Sequence, residues 1–287
     1  MVDSNTFGFL NQTETTISFV DGTNTFTLAP TAGGSNPWSY YRSGVKYTIT
    51  GSKTASITAA SGTTTTYFIF IDATDGTLSV STSAWTLNDT KVPVATITRN
   101  SGLTPTYLMA EERHTCLINR RDHMMEHYTV GTMYSSGGAL TGPTVGSSTN
   151  SAKTCAVAAA NIFDEDIYQA TAAITAGNGS SDAFYSILYR TGASTWAWQR
   201  SLVPFKYLTT GAIQYDSAGT MTAAATGAGK FVNYYMCLTN VAGQESVVWI
   251  PGRATFTSLA LAQAETFASF SMTGIPVNEL VAIYQLL

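Results

Sequence analysis

Apolar and polar residues alternate with a period of two along most of this chain, and one stretch breaks the pattern. In "TISFVDGTNTFTLAP" Ile17 and Phe19 share a face, Asp21-Gly22 reverses the chain, and Phe26 and Leu28 resume the alternation. That is the signature of a β-hairpin. The same period predicts strands over 45–50, 56–58, 67–72, 77–81 and 92–99. "YFIFID" is apolar on both faces, as expected of a central strand covered on both sides, and "DATDGT" behind it supplies the Asp and Gly that a tight reversal tolerates. Short strands so closely punctuated predict a β-sandwich module over residues 1–104.

The break comes at "YLMAEERHTCLINRRDHMMEHYTVGTM", residues 107–133, which holds all three histidines and many of the few charges. Asn119 is placed to cap a helix over 120–128 that Gly131 ends. On such a helix His123 and His127 lie one turn apart on the same face. The following "YSSGGALTGPTVGSSTNSA" is rich in Gly and Ser and has little periodicity, so 105–152 is expected to be a connector of short helix plus loop. Alternation returns over 153–287 in "FYSILYR", in "TWAWQRS" with Trp196 and Trp198 on one face, and in "FVNYYMCLTN". "TSLALAQAETFASF" predicts one helix capped by Thr257 or Ser258, and the apolar tail "LVAIYQLL" a strand tucked into the fold. The expected fold class is mainly β: two β-sandwich-like domains joined by a short partly helical connector, with one short helix in the C-terminal domain.

Composition changes the picture in one respect. Only 11% of the 287 residues are charged, while 44% are hydrophobic. A soluble domain ordinarily carries about 25% charge. Thr, Ser, Gly and Ala take the missing share, leaving little to keep one surface apart from the next. The expectation is a subunit largely covered by other subunits. Cys116, Cys155 and Cys237 are odd in number and far apart, which fits synthesis in a reducing compartment. The chain's start shows no secretory signal, and no apolar run approaches the ~18 residues of a spanning helix. A net charge of −4 leaves no electrostatic footprint for nucleic acid. Neither nucleic acid nor membrane insertion is expected.

Three groups of residues invite chemistry. His123-Met-Met-Glu126-His127 reads as H-x-x-E-H, the string on which some zinc peptidases hold their metal, with Glu165 and Glu245 as the available third ligands. The helix is short and Gly/Ser loop follows it, so a short polar helix that binds no metal is the favoured reading, and no cofactor is expected. His114, His123 and His127 remain the metal candidates. "NIFDEDIYQ" brings Asp164, Glu165 and Asp166 together, but neighbours on a strand point to opposite faces and would not converge without a bulge. Trp196, Trp198, Tyr40 and Tyr41 are the candidates for stacking on a sugar ring. No nucleotide-binding loop or serine-hydrolase elbow is present.

The order of several segments resembles bacteriophage virion proteins. "SNTFGFLNQTETTISFVDGTNTFTLAPT", "GVKYTIT", "TYFIFIDATDGTLSVS" and "VPVATITRN" are similar to a recurring N-terminal module of that family. "EERHTCLINRRDHMMEHYTVGTMY" resembles its histidine-rich junction, and "NIFDEDI", "KFVNYYMCLTN" and "WIPGRATFTSLALAQAETFASFSMTGIPVNELVAIYQL" its third portion. Gly252-Arg253 stands where a Gly-Gln pair is the family's pattern, and the loop 134–152 matches nothing in it.

The resemblance implies a non-enzymatic virion structural component of a tail fibre, tail tip or baseplate, or of a head fibre. Such proteins are commonly homotrimeric and docked to other virion proteins. A threefold axis would bring the histidines of three chains together. The alternatives of other classes are a host-glycan or receptor-binding adhesin using the C-terminal aromatics, and a zinc hydrolase on His123, Glu126 and His127.

Overall fold

A computed structural model describes residues 6–58, 62–86, 90–143, 153–175, 184–208, 212–224, 230–277 and 279–287. The fold is mainly β, and among the described residues Arg120–Thr129 (α1) is the one helix of seven or more residues. The chain divides into two compact units. The first is Met1–Gly102 with Thr106–Gly131 and Phe163–Tyr168; the second is Leu103–Pro105, Thr132–Ile162 and Gln169–Leu287. The expected connector 105–152 is therefore not a separate body. Its histidine-bearing part folds into the first unit, and its "loop" begins with the strands Met133–Gly137 and Leu140–Thr141 of the second. The rest of that loop, 144–152, lies outside the described residues.

In the first unit most of the expected strands form with small shifts of boundary, but the strand expected over 56–58 lies at Lys53–Ser56, sharing only Ser56 with it. Thr15–Val20 pairs with Thr25–Pro30 so that Phe19 faces Phe26 and Ile17 faces Leu28, the register that the alternation dictates. Thr65–Ile71 lies inside a four-stranded sheet between Leu78–Ser81 and Val92–Arg99, with Tyr107–Glu111 at the far edge. Two three-stranded sheets complete the unit, and all three sheets contribute to one core that includes Phe9, Phe26, Trp38, Ile69, Val94 and Ile97. The two-sheet arrangement expected here is realised as three short sheets.

Buried arginines lock the ends of this unit together. Arg113 pairs with both carboxylate oxygens of Glu111 and donates to Gln12 O at 3.1 Å and Thr15 Oγ1 at 2.6 Å. The backbone of 114–116 runs beside Gly8–Phe9, with Phe9 N donating to His114 O at 2.8 Å and Cys116 N to Phe9 O at 2.8 Å. Gly8 is required there: its φ is +107°, and a Cβ would lie 2.6 Å from His114 O. The segment that carries His114 is thus positioned by close backbone approach.

The second unit is built on a five-stranded sheet ordered Trp196–Ser201, Tyr185–Arg190, Val247–Phe256, Phe231–Thr239 and Leu280–Leu286. The apolar tail forms the expected strand, but at the edge of the sheet and half-exposed rather than tucked in. Tyr185–Arg190 and Val247–Phe256 pair in parallel, which no hairpin signal announces. Trp249, Met236, Leu238 and Tyr185 fill the core. The predicted C-terminal helix is shorter than its sequence suggests: Leu259–Ala264 (α2), capped by the Ser258 side chain, then a separate turn Phe267–Ser269. Arg253 pairs with buried Asp216 and lies 4.6 Å over the Phe270 ring. The three cysteines are free, and no described helix is long and apolar enough to cross a membrane.

Candidate functional site

The first unit gathers all three histidines against two adjacent carboxylates. Asn119 caps α1, its Oδ1 accepting from Asp122 N at 3.0 Å, and Gly131 ends it at φ +63° while donating to Glu126 O. The helix is turned the unusual way round. His123 and His127 face inward, with side chains 16% and 26% exposed, whereas Met125 and Tyr128 are 60% and 71% exposed. Met125 and Tyr128 therefore do not anchor it; its imidazoles do.

The carboxylates come from a turn, not from a strand. Ala160–Asp164 and Ile167–Ala170 are joined at Glu165 and Asp166, and Glu165 adopts a left-handed φ of +47°. That conformation is costly for a side chain with a Cβ and is found where neighbouring contacts hold it. The expectation that Glu165 and Asp166 would diverge assumed a continuous strand, and the turn removes that assumption. A polar triplet between two apolar β-runs was the signal available for it.

Asp166 holds His114. Its Oδ1 lies 2.6 Å from His114 Nδ1, and its Oδ2 accepts from the backbone N–H and the hydroxyl of Thr115. A proton on Nδ1 leaves Nε2 as the lone-pair nitrogen. That Nε2 lies 3.4 Å from Glu165 Oε2, and His123 Nε2 lies 3.6 Å from the same oxygen. The His114 and His123 rings are 4.0 Å apart between centroids. His127 Nδ1 reaches the other oxygen of Glu165 at 3.0 Å. The Glu165 side chain is fully buried, and its Oε2 has no hydrogen-bond partner. Glu112 adds a third carboxylate, 3.9 Å from His114 Nε2.

Electrostatics sharpen the picture. Burial lowers the pKa of His123, and the adjacent His114 charge lowers it further, against the pull of Glu165 and Asp166. Burial raises Glu165, but the surrounding His123, His127 and His114 more than reverse this and bring it down to about 2. Asp166 is likewise held down, by His114 and Thr115 against burial. The site thus keeps ionised carboxylates beside an imidazole biased towards its neutral form, a donor set suited to a cation.

The string that first suggested a metal is only half used. His114, His123 and Glu165 present one donor atom each, all within 4.8 Å of one another, and Glu126 is not in that group. Glu245, the other third-ligand candidate, belongs to the second unit and pairs with Arg200 at 2.9 Å. The histidines converge within one chain and need no threefold axis. Among the proposed sugar-stacking residues, Trp196 and Trp198 are 2% exposed and Tyr40 is fully buried. Trp196 donates to Thr273 O, Trp198 to Pro105 O and Tyr40 to Ala73 O. These three rings are core and present no face to a ligand; Tyr41 alone is half-buried. Alternation had grouped them correctly but could not say which side was the interior. No family model, curated protein or solved structure matches the chain.

Proposed function

We propose that this protein is a non-enzymatic structural component of a bacteriophage virion, acting in a tail fibre, tail tip or baseplate by self-association and by docking to neighbouring virion proteins. A head fibre is the alternative location. The resemblance of its ordered segments to that family is the starting point. The supporting observation is a run of exposed apolar side chains on a charge-poor chain: Leu117 at 87%, Tyr128 at 71%, Met125 at 60% and Val130 at 53%. Side chains of this size are commonly exposed singly, but a cluster along one short segment is what a subunit contact uses. In a closed homo-oligomer each such patch is repeated by symmetry.

The competing readings lose ground on specific residues. A glycan platform on Trp196, Trp198 and Tyr40 is ruled out because all three are interior. A glycan reading would have to use exposed C-terminal aromatics such as Tyr168 at 57% and Tyr207 at 46%. A peptidase on H-x-x-E-H would hold one metal on His123 and His127 with Glu126 beside the attacking water, whereas the donors that converge are His123, His114 and Glu165, and Glu126 is not among them. The test is the mass in solution by sedimentation equilibrium over a dilution series. A trimer that Leu117→Ser with Tyr128→Ser dissociates is expected. A wild-type protein that stays monomeric up to its solubility limit would overturn the self-association reading.

A further inference from the structure

We propose that His114 Nε2, His123 Nε2 and Glu165 Oε2 bind one divalent transition-metal ion of the zinc type within a single chain, stapling α1 to the 163–168 turn. The inference does not rest on the assembly reading: a monomer that binds zinc would leave it intact while overturning the other.

Geometry carries it. With zinc–nitrogen and zinc–oxygen bonds of roughly 2.0–2.1 Å, the donors of a tetrahedral site stand about 3.3 Å apart. The two donor separations at Glu165 Oε2 are 3.4 and 3.6 Å. They are too long for good hydrogen bonds and close to the edge of such a tetrahedron. The outer contacts are also those of a metal site. Asp166 orients His114 through its far nitrogen, Thr115 orients Asp166, and His127 engages the second oxygen of Glu165.

The buried Oε2 of Glu165 is the independent observation. A fully buried carboxylate oxygen with no donor is rare and costly, and a cation between it and the two imidazoles removes that cost. Three carboxylates, Glu112, Glu165 and Asp166, crowd three imidazoles here. Two nitrogens and one oxygen favour zinc or a neighbouring metal over calcium or magnesium, which prefer oxygen. A pocket lined in part by Phe7, Trp85, His114 and His123 lies beside the site.

The experiment is a titration of tag-free, chelator-treated full-length protein with zinc chloride, read by calorimetry and elemental analysis, and with cobalt(II), read by visible absorption. One zinc per chain and tetrahedral cobalt bands are expected, with no competition from magnesium or calcium. Glu165→Gln and His123→Ala should weaken zinc binding at least about 100-fold, and Asp166→Asn about 10-fold, the usual range for a supporting residue. Glu126→Gln should change nothing. Wild-type protein that binds no stoichiometric zinc overturns the proposal without recourse to any variant. So does binding that a folded Glu165→Gln protein retains, or that Glu126→Gln abolishes.

Discussion

Two of the buried carboxylates, Asp216 in the second unit and Glu165 in the first, are held differently. Asp216 in the second unit is closed. Its Oδ2 takes Arg190 Nε at 2.6 Å and Arg253, while its Oδ1 takes Gly219 N at 2.7 Å and Arg190 Nη2 at 3.2 Å. Glu165 in the first unit is equally hidden, yet one of its oxygens accepts no hydrogen bond and faces two imidazole nitrogens instead. The partners explain the contrast. Arginine stays charged and donates in a fixed fork, so it completes a carboxylate permanently. Imidazole can surrender its proton to become a ligand, so a carboxylate among histidines is completed by whatever cation arrives. A closed ion pair reads as architecture, and an open one as a binding position.

The largest expected effect lies on the closed side. Asp216→Asn strands two mostly buried guanidiniums, with side chains 11% and 18% exposed. Breaking such a pair costs about 3–5 kcal/mol. Denaturant unfolding of the second unit, followed by hydrogen exchange in Phe231–Thr239 and Val247–Phe256, should show that loss equally with zinc or with chelator. A loss that appears only without metal would erase the distinction between the two carboxylates. Next is Gly8→Ala, which forces a Cβ towards His114 O at a φ of +107°. Strain of this kind costs about 1–3 kcal/mol. Because the displaced segment carries His114, zinc affinity should fall along with the first unit's unfolding midpoint. A drop in stability with unchanged affinity would mean that His114 is not a ligand.

Much of the fold was legible from local pattern, because the forces that set it are local. Period-two alternation and a Gly turn fixed the pairing of Phe19 with Phe26, and Asn119 and Gly131 fixed both ends of α1. The site was legible only in part. All three histidines and Glu165 could be named as candidates, but their meeting depends on contacts between residues about fifty positions apart, such as His114 with Asp166. Read as one continuous strand, "NIFDEDIYQ" sets Glu165 and Asp166 on opposite faces. Only the left-handed backbone of Glu165, rare for a residue with a Cβ, turns the pair towards the histidines. The parallel pairing of Tyr185–Arg190 with Val247–Phe256 is silent for the same reason: it joins distant segments that no turn connects.

A smaller effect tests whether closure by a single hydrogen bond behaves like closure by arginine. Tyr40 is fully buried, donates to Ala73 O at 2.6 Å, and has its pKa raised by burial to about 12. The folded state favours the neutral phenol, so this contribution is complete below the unfolded value of 10.0 and is lost as pH rises towards about 12. Tyr40→Phe should cost about 1 kcal/mol at neutral pH and should remove part of the alkaline fall in the first unit's stability. An unchanged alkaline limb would assign that fall to other groups.

The smallest effect decides most. In chelator-treated protein at pH 8, Glu165→Gln keeps an amide oxygen for His127 and sets an amide N–H towards the imidazole nitrogens, so the buried oxygen without a donor disappears. The charge lost and the hydrogen bond gained nearly offset, and stability should move by less than about 1 kcal/mol. Added zinc should then separate the two proteins. The wild type should gain about 2.7 kcal/mol when free zinc is about 100 times its dissociation constant, and the variant almost nothing. A penalty for Glu165→Gln as large as that for Asp216→Asn, present without metal, would make Glu165 a closed structural carboxylate like its counterpart. The geometry argues against this, because both oxygens of Asp216 meet an arginine, whereas Glu165 Oε2 faces two imidazole nitrogens at metal-bridging distance.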